Sequence, residues 1–255
     1  MSRANRLLAI LDLFDAARPV WTVEEIGTTL GIPTSTIYRH VRDLVQAGFL
    51  DPVTGAGYSL GPAFIRYDRL LRQTDPLIGL AAPIMGQLLE RTTQHATVIL
   101  CRRFRDGVMC VHEVHGREPH PPTSYERGVA MPLFLGATSK VILANLPDRT
   151  LKRVYQANQP LIHGALGVGD WLQFKAQLRE IRRAGYAVTD SEVSKGRIGI
   201  AAPIRRSDQL VAGISLVGVL GQAEKERIPE YIPHLLTAAS TISTGLSSQS
   251  APISR

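Results

Sequence analysis

The chain has 255 residues, 44% of them apolar, enough for two domains of ordinary size with real cores. It contains no apolar run of about 18 residues, which argues against a membrane span. Asp12 and Asp15 interrupt the amino-terminal apolar stretch, so no secretory leader is expected and a soluble cytoplasmic protein is. The formal charge of +7 invites an inference to nucleic acid, but residues 1–75 hold eight Arg, no Lys and eight acids. The excess sits in clusters such as Arg102–Arg103–Arg105, Arg182–Arg183 and Arg205–Arg206, which read as solvated surface. DNA binding must therefore rest on a local arrangement of side chains, not on bulk charge.

Leu7, Ile10, Leu11 and Phe14 recur at helical spacing from Ala4 to about Ala17, with Pro19 blocking continuation and Val20–Trp21 suited to a short strand. In TVEEIGTTL, Thr22 is an N-cap with Glu25 at capping-box spacing, Val23, Ile26 and Leu30 form an apolar face, and Gly31 ends the helix. IPTSTIYRHVRDL (Ile32–Leu44) follows, with Pro33 at the start and Thr34 or Ser35 able to cap. At about 100° per residue, Ile37, Val41 and Leu44 form one stripe, while Ser35, Arg39, Arg42 and Gln46 gather opposite, with Tyr38 at the edge. Guanidinium groups chelate guanine or clamp phosphate, and the hydroxyls of Thr34, Ser35, Thr36 and Tyr38 suit backbone oxygens or base edges. The plain alternative is an amphipathic helix with a solvated polar face. Two short helices joined through Gly favour a helix-turn-helix. Arg3 and Arg6 are further candidates for DNA binding.

After Gly48, Phe49–Leu50 and Tyr58–Leu60 read as two strands joined by a turn containing Pro52, Gly55 and Gly57, which makes a wing. Pro62–Pro76 encloses a helix with a narrow apolar stripe of Phe64, Ile65 and Leu71. Beyond it, Leu80–Thr92 reads as helix, and Ala96–Cys101 and Val108–Val114 as strands of a hairpin turning at Asp106-Gly107. Ser139–Ala144, Thr150–Ala157 and Gly169–Arg183 are helical, with Gly185 as cap. Tyr186–Thr189, Gly199–Ile204 and Val211–Val219 are strands, and a helix from about Ile228 to Leu246 closes the chain. The pattern predicts an α+β fold with an antiparallel sheet.

These features resemble the isocitrate lyase regulator (IclR) family of bacterial transcription factors. Residues 4–61 look like its DNA-binding domain. MPLFLGATSKVILA (Met131–Ala144), GYAVTDSEVSKGRIGIAAPI (Gly185–Ile204) and AGISLVG (Ala212–Gly218) are similar to stretches of its second domain, in the same order. The resemblance implies a winged helix-turn-helix over 1–61, a linker helix over 62–76 that aids dimerisation, and over 77–255 an effector-binding and oligomerisation domain similar to GAF and PAS sensors. It implies a double-stranded operator, a small organic acid effector, and a dimer that pairs into a tetramer.

Carried over position by position, the implied effector pocket has Ala137 and Thr138 at a helix start, Met131 and Leu133 nearby, and Thr189, Asp190, Gly199 and Ser215 opposite. Phe134 stands where the family often has His, Thr189 where it often has Asp, and Gly199 where Cys is common. Fewer charges and a missing side chain at Gly199 suggest a roomy apolar space and an acid with an aromatic or otherwise apolar body. The alternative is that these are core positions of a sheet.

Cys110, His112, His115 and His120 crowd a short stretch, yet neither C-x-x-C nor H-E-x-x-H occurs, and no metal or cofactor is expected. Cys101 and Cys110, on opposite arms of the hairpin, read as reduced, buried thiols. An enzyme of small-molecule metabolism with an appended winged helix is the alternative function. It lacks a G-x-S-x-G elbow, a P-loop and a dinucleotide fingerprint, since GALGVG (Gly164–Gly169) orders its glycines wrongly. A dimerising scaffold without ligand or DNA is the third reading.

Overall fold

A computed structural model describes residues 3–117, 125–219, 221 and 225–248, in two compact units, 1–75 and 76–255. The first holds α1 (Arg3–Leu11), β1 (Trp21–Thr22), α2 (Val23–Leu30), α3 (Thr34–Gln46), β2 (Leu50–Val53), β3 (Gly57–Leu60) and α4 (Ala63–Thr74). The strands pair antiparallel in the order β1-β3-β2. Ile10, Trp21, Val23, Ile26, Ile37, Val41, Leu44 and Leu50 form one buried cluster, so each predicted apolar face meets the others.

Thr22 and Glu25 form the capping box: the Glu25 N–H donates to Thr22 Oγ1 (3.3 Å) and the Thr22 N–H to Glu25 Oε2 (2.9 Å). Gly31 ends α2 at φ 64°, a left-handed conformation that favours glycine. Three local expectations change. α1 stops at Leu11 instead of near Ala17, because the Asp15 carboxylate accepts the Arg18 N–H (2.7 Å) and draws the chain into a turn. Pro33, not Thr34 or Ser35, takes the cap position of α3; its carbonyl accepts the N–H groups of Thr36 and Ile37 (2.9 and 3.1 Å). Pro52 lies in β2, where an edge strand tolerates a missing donor, and the turn is made by residues 54–56.

The second unit holds α5 (Pro76–Arg91), β4 (Ala96–Phe104), β5 (Gly107–His115), β6 (Ala130–Pro132), α6 (Ala137–Ala144), α7 (Asp148–Leu166), α8 (Trp171–Ala184), β7 (Ala187–Asp190), β8 (Ile198–Arg206), β9 (Gln209–Gly218) and α9 (Ile228–Ser248). Its six strands run antiparallel in the order β6-β5-β4-β9-β8-β7. Alternation along the strands sends Val98, Leu100, Ile200, Ile214 and Leu216 into a core with α5 and α9. Ile99, Cys101, Val108 and Cys110 face the other way, into a core with α6, α7 and α8. The fold is α+β, as the pattern of strands and helices predicts.

The hairpin between β4 and β5 turns one residue earlier than expected, at Arg105-Asp106, with Arg105 at φ 51°. Gly107 serves close approach instead, since a Cβ there would lie 2.8 Å from the Met131 carbonyl oxygen. β6 is too short to show a period, and α7 runs past Ala157 to Leu166 through a kink at Asn158 (φ −131°) that accommodates Pro160. No helix among the described residues is long and apolar enough to cross a membrane.

Replacing the N-cap by Thr22→Ala is expected to lower the stability of the first unit by about 1 kcal/mol, measured by urea unfolding. The capping hydrogen bonds from Thr22 hold the Glu25 carboxyl below its ordinary value of 4.5. A depressed folded-state pKa means the associated stabilisation is present above the unfolded value and fades as pH falls through the folded one. The gap between wild type and variant should therefore narrow in acid.

Candidate functional site

Two places carry chemistry, one in each unit. On α3, burial of Ile37, Val41 and Leu44 leaves Thr34, Ser35, Tyr38, Arg39 and Arg42 exposed and Thr36 half-buried. Because Pro33 occupies the cap position, the Thr34 and Ser35 hydroxyls are not tied up in capping. Neither Arg39 nor Arg42 pairs with a described side chain. Arg6 of α1 joins Thr36, Arg39, Arg42 and Asp43 around a groove of about 350 Å³, with His40 on its buried side. All six DNA-contact candidates thus sit on one helix, three of them on the exposed face predicted from periodicity. Arg6 adds a cation from a second element; the side chain of Arg3 is not among those described.

In the second unit, a cavity of about 30 Å³ lies between α6, the sheet and the loop over 191–197. Gly136 leads into α6 at φ 80°, and a Cβ there would come within 2.5 Å of Tyr125 Oη and 2.9 Å of Val193 Cγ2, so glycine is required twice over. The Tyr125 phenol donates to the Leu135 carbonyl (2.7 Å) and shares a hydrogen bond with Ser139 Oγ (3.0 Å); burial pushes its pKa up. Thr138 Oγ1 donates to Ser215 Oγ (2.9 Å) across the floor, joining α6 to β9. The Glu192 carboxylate accepts the Gly136 N–H (3.3 Å) and pairs with the Lys140 ammonium.

Of the eight residues expected around the pocket, Ala137, Thr138, Thr189, Gly199 and Ser215 line this cavity. Met131, Leu133 and Asp190 do not. Leu133 is buried in the cluster beneath α7 and α8, and Met131 packs against the same cluster. Asp190 follows Thr189 on a strand, so it faces the opposite way and is exposed. Its carboxylate accepts from Lys225 Nζ (2.9 Å) and Ser191 Oγ (2.8 Å), which hold its pKa down. Tyr125, Glu192, Val193, Ser194 and Arg197 also line the cavity and were not anticipated, since all lie outside regular elements whose period could mark a face.

The roomy space expected at Gly199 is not there. A Cβ on Gly199 would already meet Thr189 Oγ1 at 3.3 Å and the Ala137 Cβ at 3.4 Å, so neighbouring side chains have closed the gap. About 30 Å³ holds roughly one water molecule.

Cys110 Sγ donates to the His112 carbonyl (3.3 Å), and His115 Nδ1 shares a hydrogen bond with Thr97 Oγ1 (3.1 Å). No three His, Cys, Asp or Glu groups converge among the described residues, and His120 lies outside them. Cys101 and Cys110 are partners across the hairpin, both free and buried, and burial holds the Cys101 thiol well above its usual range.

Residues 4–53 match the IclR helix-turn-helix domain, and residues 71–244 match the family described as bacterial transcriptional regulator IclR C-terminal. The chain is 27% identical to the HTH-type transcriptional regulator KipR of Bacillus subtilis, over 92% of this chain and 93% of that protein. It is similar to the crystal structure of the Thermotoga maritima IclR (TM-score 0.65, 25% identity, 96% and 98% covered). It also resembles an IclR homolog from Microbacterium hydrocarbonoxydans complexed with 4-hydroxybenzoate (TM-score 0.73, 20% identity, 97% and 100% covered).

Because the space at Gly199 is already filled, Gly199→Phe is expected to overpack the sheet face and destabilise the second unit by about 1–3 kcal/mol. Chemical denaturation checks this, and a Phe variant as stable as wild type would mean the α6 face yields more readily than its contacts indicate.

Proposed function

The chain belongs to the IclR family of bacterial transcriptional regulators, and from that premise we propose that it binds an operator duplex as a dimer under the control of a small organic acid. The observation that carries the DNA reading is the exposed face of α3, with Arg39 and Arg42 pointing away from the hydrophobic seam. Set in a major groove, that face brings two guanidinium forks to base edges, while the hydroxyls of Thr34, Ser35 and Thr36 suit the adjoining backbone. Arg6 supplies a phosphate contact beside them. Such a protein works in the cytoplasm, where its operator is.

Two copies of the helix, related by a two-fold axis, would read half-sites about one helical turn apart. α4 is suited to hold them together. Its start is fixed by Phe49, whose ring meets Phe64 edge-on (5.4 Å) and stacks on Tyr67 (5.8 Å), while Ile65, Leu70 and Leu71 stay more than half exposed. Exposed apolar side chains on one helix favour burial against a second copy. Pairs of dimers would form the tetramer through the second unit.

The effector reading rests on the polar groups gathered at the cavity: the α6 N-terminus, Arg197 and the Thr138, Thr189 and Ser215 hydroxyls, with Glu192 there paired to Lys140 of α6. That a protein of the same fold is complexed with 4-hydroxybenzoate supports an organic acid, aromatic ones included. An acid of that size needs the 191–197 loop to yield. Control then follows if the acid prefers one arrangement of the paired subunits over another.

Arg39→Ala should weaken operator binding by about 1–3 kcal/mol if the guanidinium meets a base. A loss that is equal on unrelated duplexes, with a salt slope reduced by about one, would assign it to phosphate; unchanged affinity would remove it from the interface. Ile65→Lys with Leu71→Lys should shift sedimentation towards monomer at micromolar concentration and weaken operator binding with it. A double variant that remains a dimer would place the pairing surface elsewhere.

A further inference from the structure

We propose that Glu192 is an internal stand-in for the effector's carboxylate, and that a small monocarboxylic acid displaces it from the N-terminus of α6. The inference rests on the effector reading above and specifies how that site opens. The seat for an acid is already taken by the protein's own. Glu192 Oε2 accepts the Gly136 N–H at 3.3 Å, and Oε1 pairs with Lys140 Nζ in the first turn of the same helix. Both partners are shielded, with side chains 22% and 14% exposed, and the pair links positions 52 residues apart in sequence. A helix N-terminus with an ammonium beside it serves any carboxylate equally well.

Other groups at the same cavity point to a ligand. Thr189 is only 7% exposed, and its hydroxyl, which makes no hydrogen bond to a described residue, is open to the cavity that the residue lines. Arg197 lines the same cavity from the far end of the loop, and no described carboxylate pairs with it. Glu192 and Arg197 line the cavity and Lys140 pairs with Glu192 from α6, so these three groups together are short by one negative charge. A monoanion supplies it. When an incoming carboxylate takes the seat on Gly136 and Lys140, the released Glu192 has Arg197 on its own loop to meet.

Displacement also answers the question of space. Several of the loop's bonds run within itself, from Ser191 N–H to the Arg197 carbonyl (2.7 Å) and from Gly196 N–H to Ser191 Oγ (3.0 Å). Those of Glu192 tie it to α6. Breaking that tie lets residues 191–197 move as a unit and enlarges a cavity that otherwise holds about one water.

The test uses the full-length protein with benzoate and propionate as probes, and benzamide and propionamide as neutral isosteres. Glu192→Gln should bind benzoate about tenfold tighter than wild type by calorimetry, since a weaker internal competitor must be displaced. Its affinity for benzamide should not change. Glu192→Ala vacates the seat, and millimolar propionate should then raise its melting temperature while leaving wild type unmoved; adding Lys140→Met should abolish that rise. A cooperative thermal transition and an unchanged far-ultraviolet circular dichroism spectrum in the absence of ligand report that each variant is folded. The proposal is overturned if, in folded variants, Glu192→Gln confers no gain for benzoate or propionate does not stabilise Glu192→Ala. Tight carboxylate uptake that leaves operator affinity unchanged would instead sink the effector reading and leave the displacement standing.

Discussion

With Ile37, Val41 and Leu44 pressed into the core of the first unit, the helical period leaves Arg39 and Arg42 no direction but solvent. The orientation of the face proposed to read DNA is therefore set by hydrophobic burial on the opposite side of the same helix, not by any contact the arginines make. Each element around α3 serves that orientation. The capping box fixes where α2 begins, Gly31 fixes where it ends, and the Ile32 N–H bonded to the Gly27 carbonyl (3.0 Å) folds the turn so that α3 starts at Thr34. A one-residue change in that start would rotate the arginines by about 100°.

The second unit solves a different problem with the same pleat-and-period logic. One face of its sheet is closed by large side chains against α5 and α9. The other face, under α6, carries Gly199, Gly213, Ser215 and Ala201, residues too small to fill the layer. Gly213 lets Thr138 and Ile142 of α6 come down onto the sheet, with approaches of 3.1 and 3.4 Å to where its Cβ would be. α6 thus sits low, its N-terminus beside the strand ends, where hydroxyls are the nearest neighbours. Small residues here shape a polar recess instead of opening a large hole, because the helix settles into the room they leave.

That distinction marks the boundary of what the sequence could reveal. A face with a period was legible in the α3 stripe, and local signals marked the Thr22–Glu25 cap and the β4–β5 hairpin; the floor residues Thr138, Thr189, Gly199 and Ser215 were reached only through the family resemblance. Features set by loops and by helix docking were not legible. Asp190 follows Thr189 in sequence but faces the other way once the strand is pleated. Tyr125, Glu192 and Arg197 reach the cavity from irregular segments, and nothing in their spacing announces a shared target. Volume was the least legible quantity of all. Replacing a larger side chain by glycine on paper creates space, whereas in the packed unit Thr189 and Ala137 had already moved into it.

If one carboxylate is exchanged for another at α6, the seat itself contributes little to net affinity, because the hydrogen bonds and the Lys140 pair are present before and after. What distinguishes the bound state is the ligand's body, the Thr189 hydroxyl it satisfies, and the new partner that Glu192 finds. Selectivity among acids would then lie in the part of the molecule away from the carboxylate. The same balance makes a workable switch. A ligand shifts a conformational equilibrium only through its differential affinity for the two states, and here the closed state has a charged ligand of its own. Removing the carboxylate at position 192 should therefore do two separable things: strengthen acid binding, and bias the loop towards the state that acid favours even in its absence.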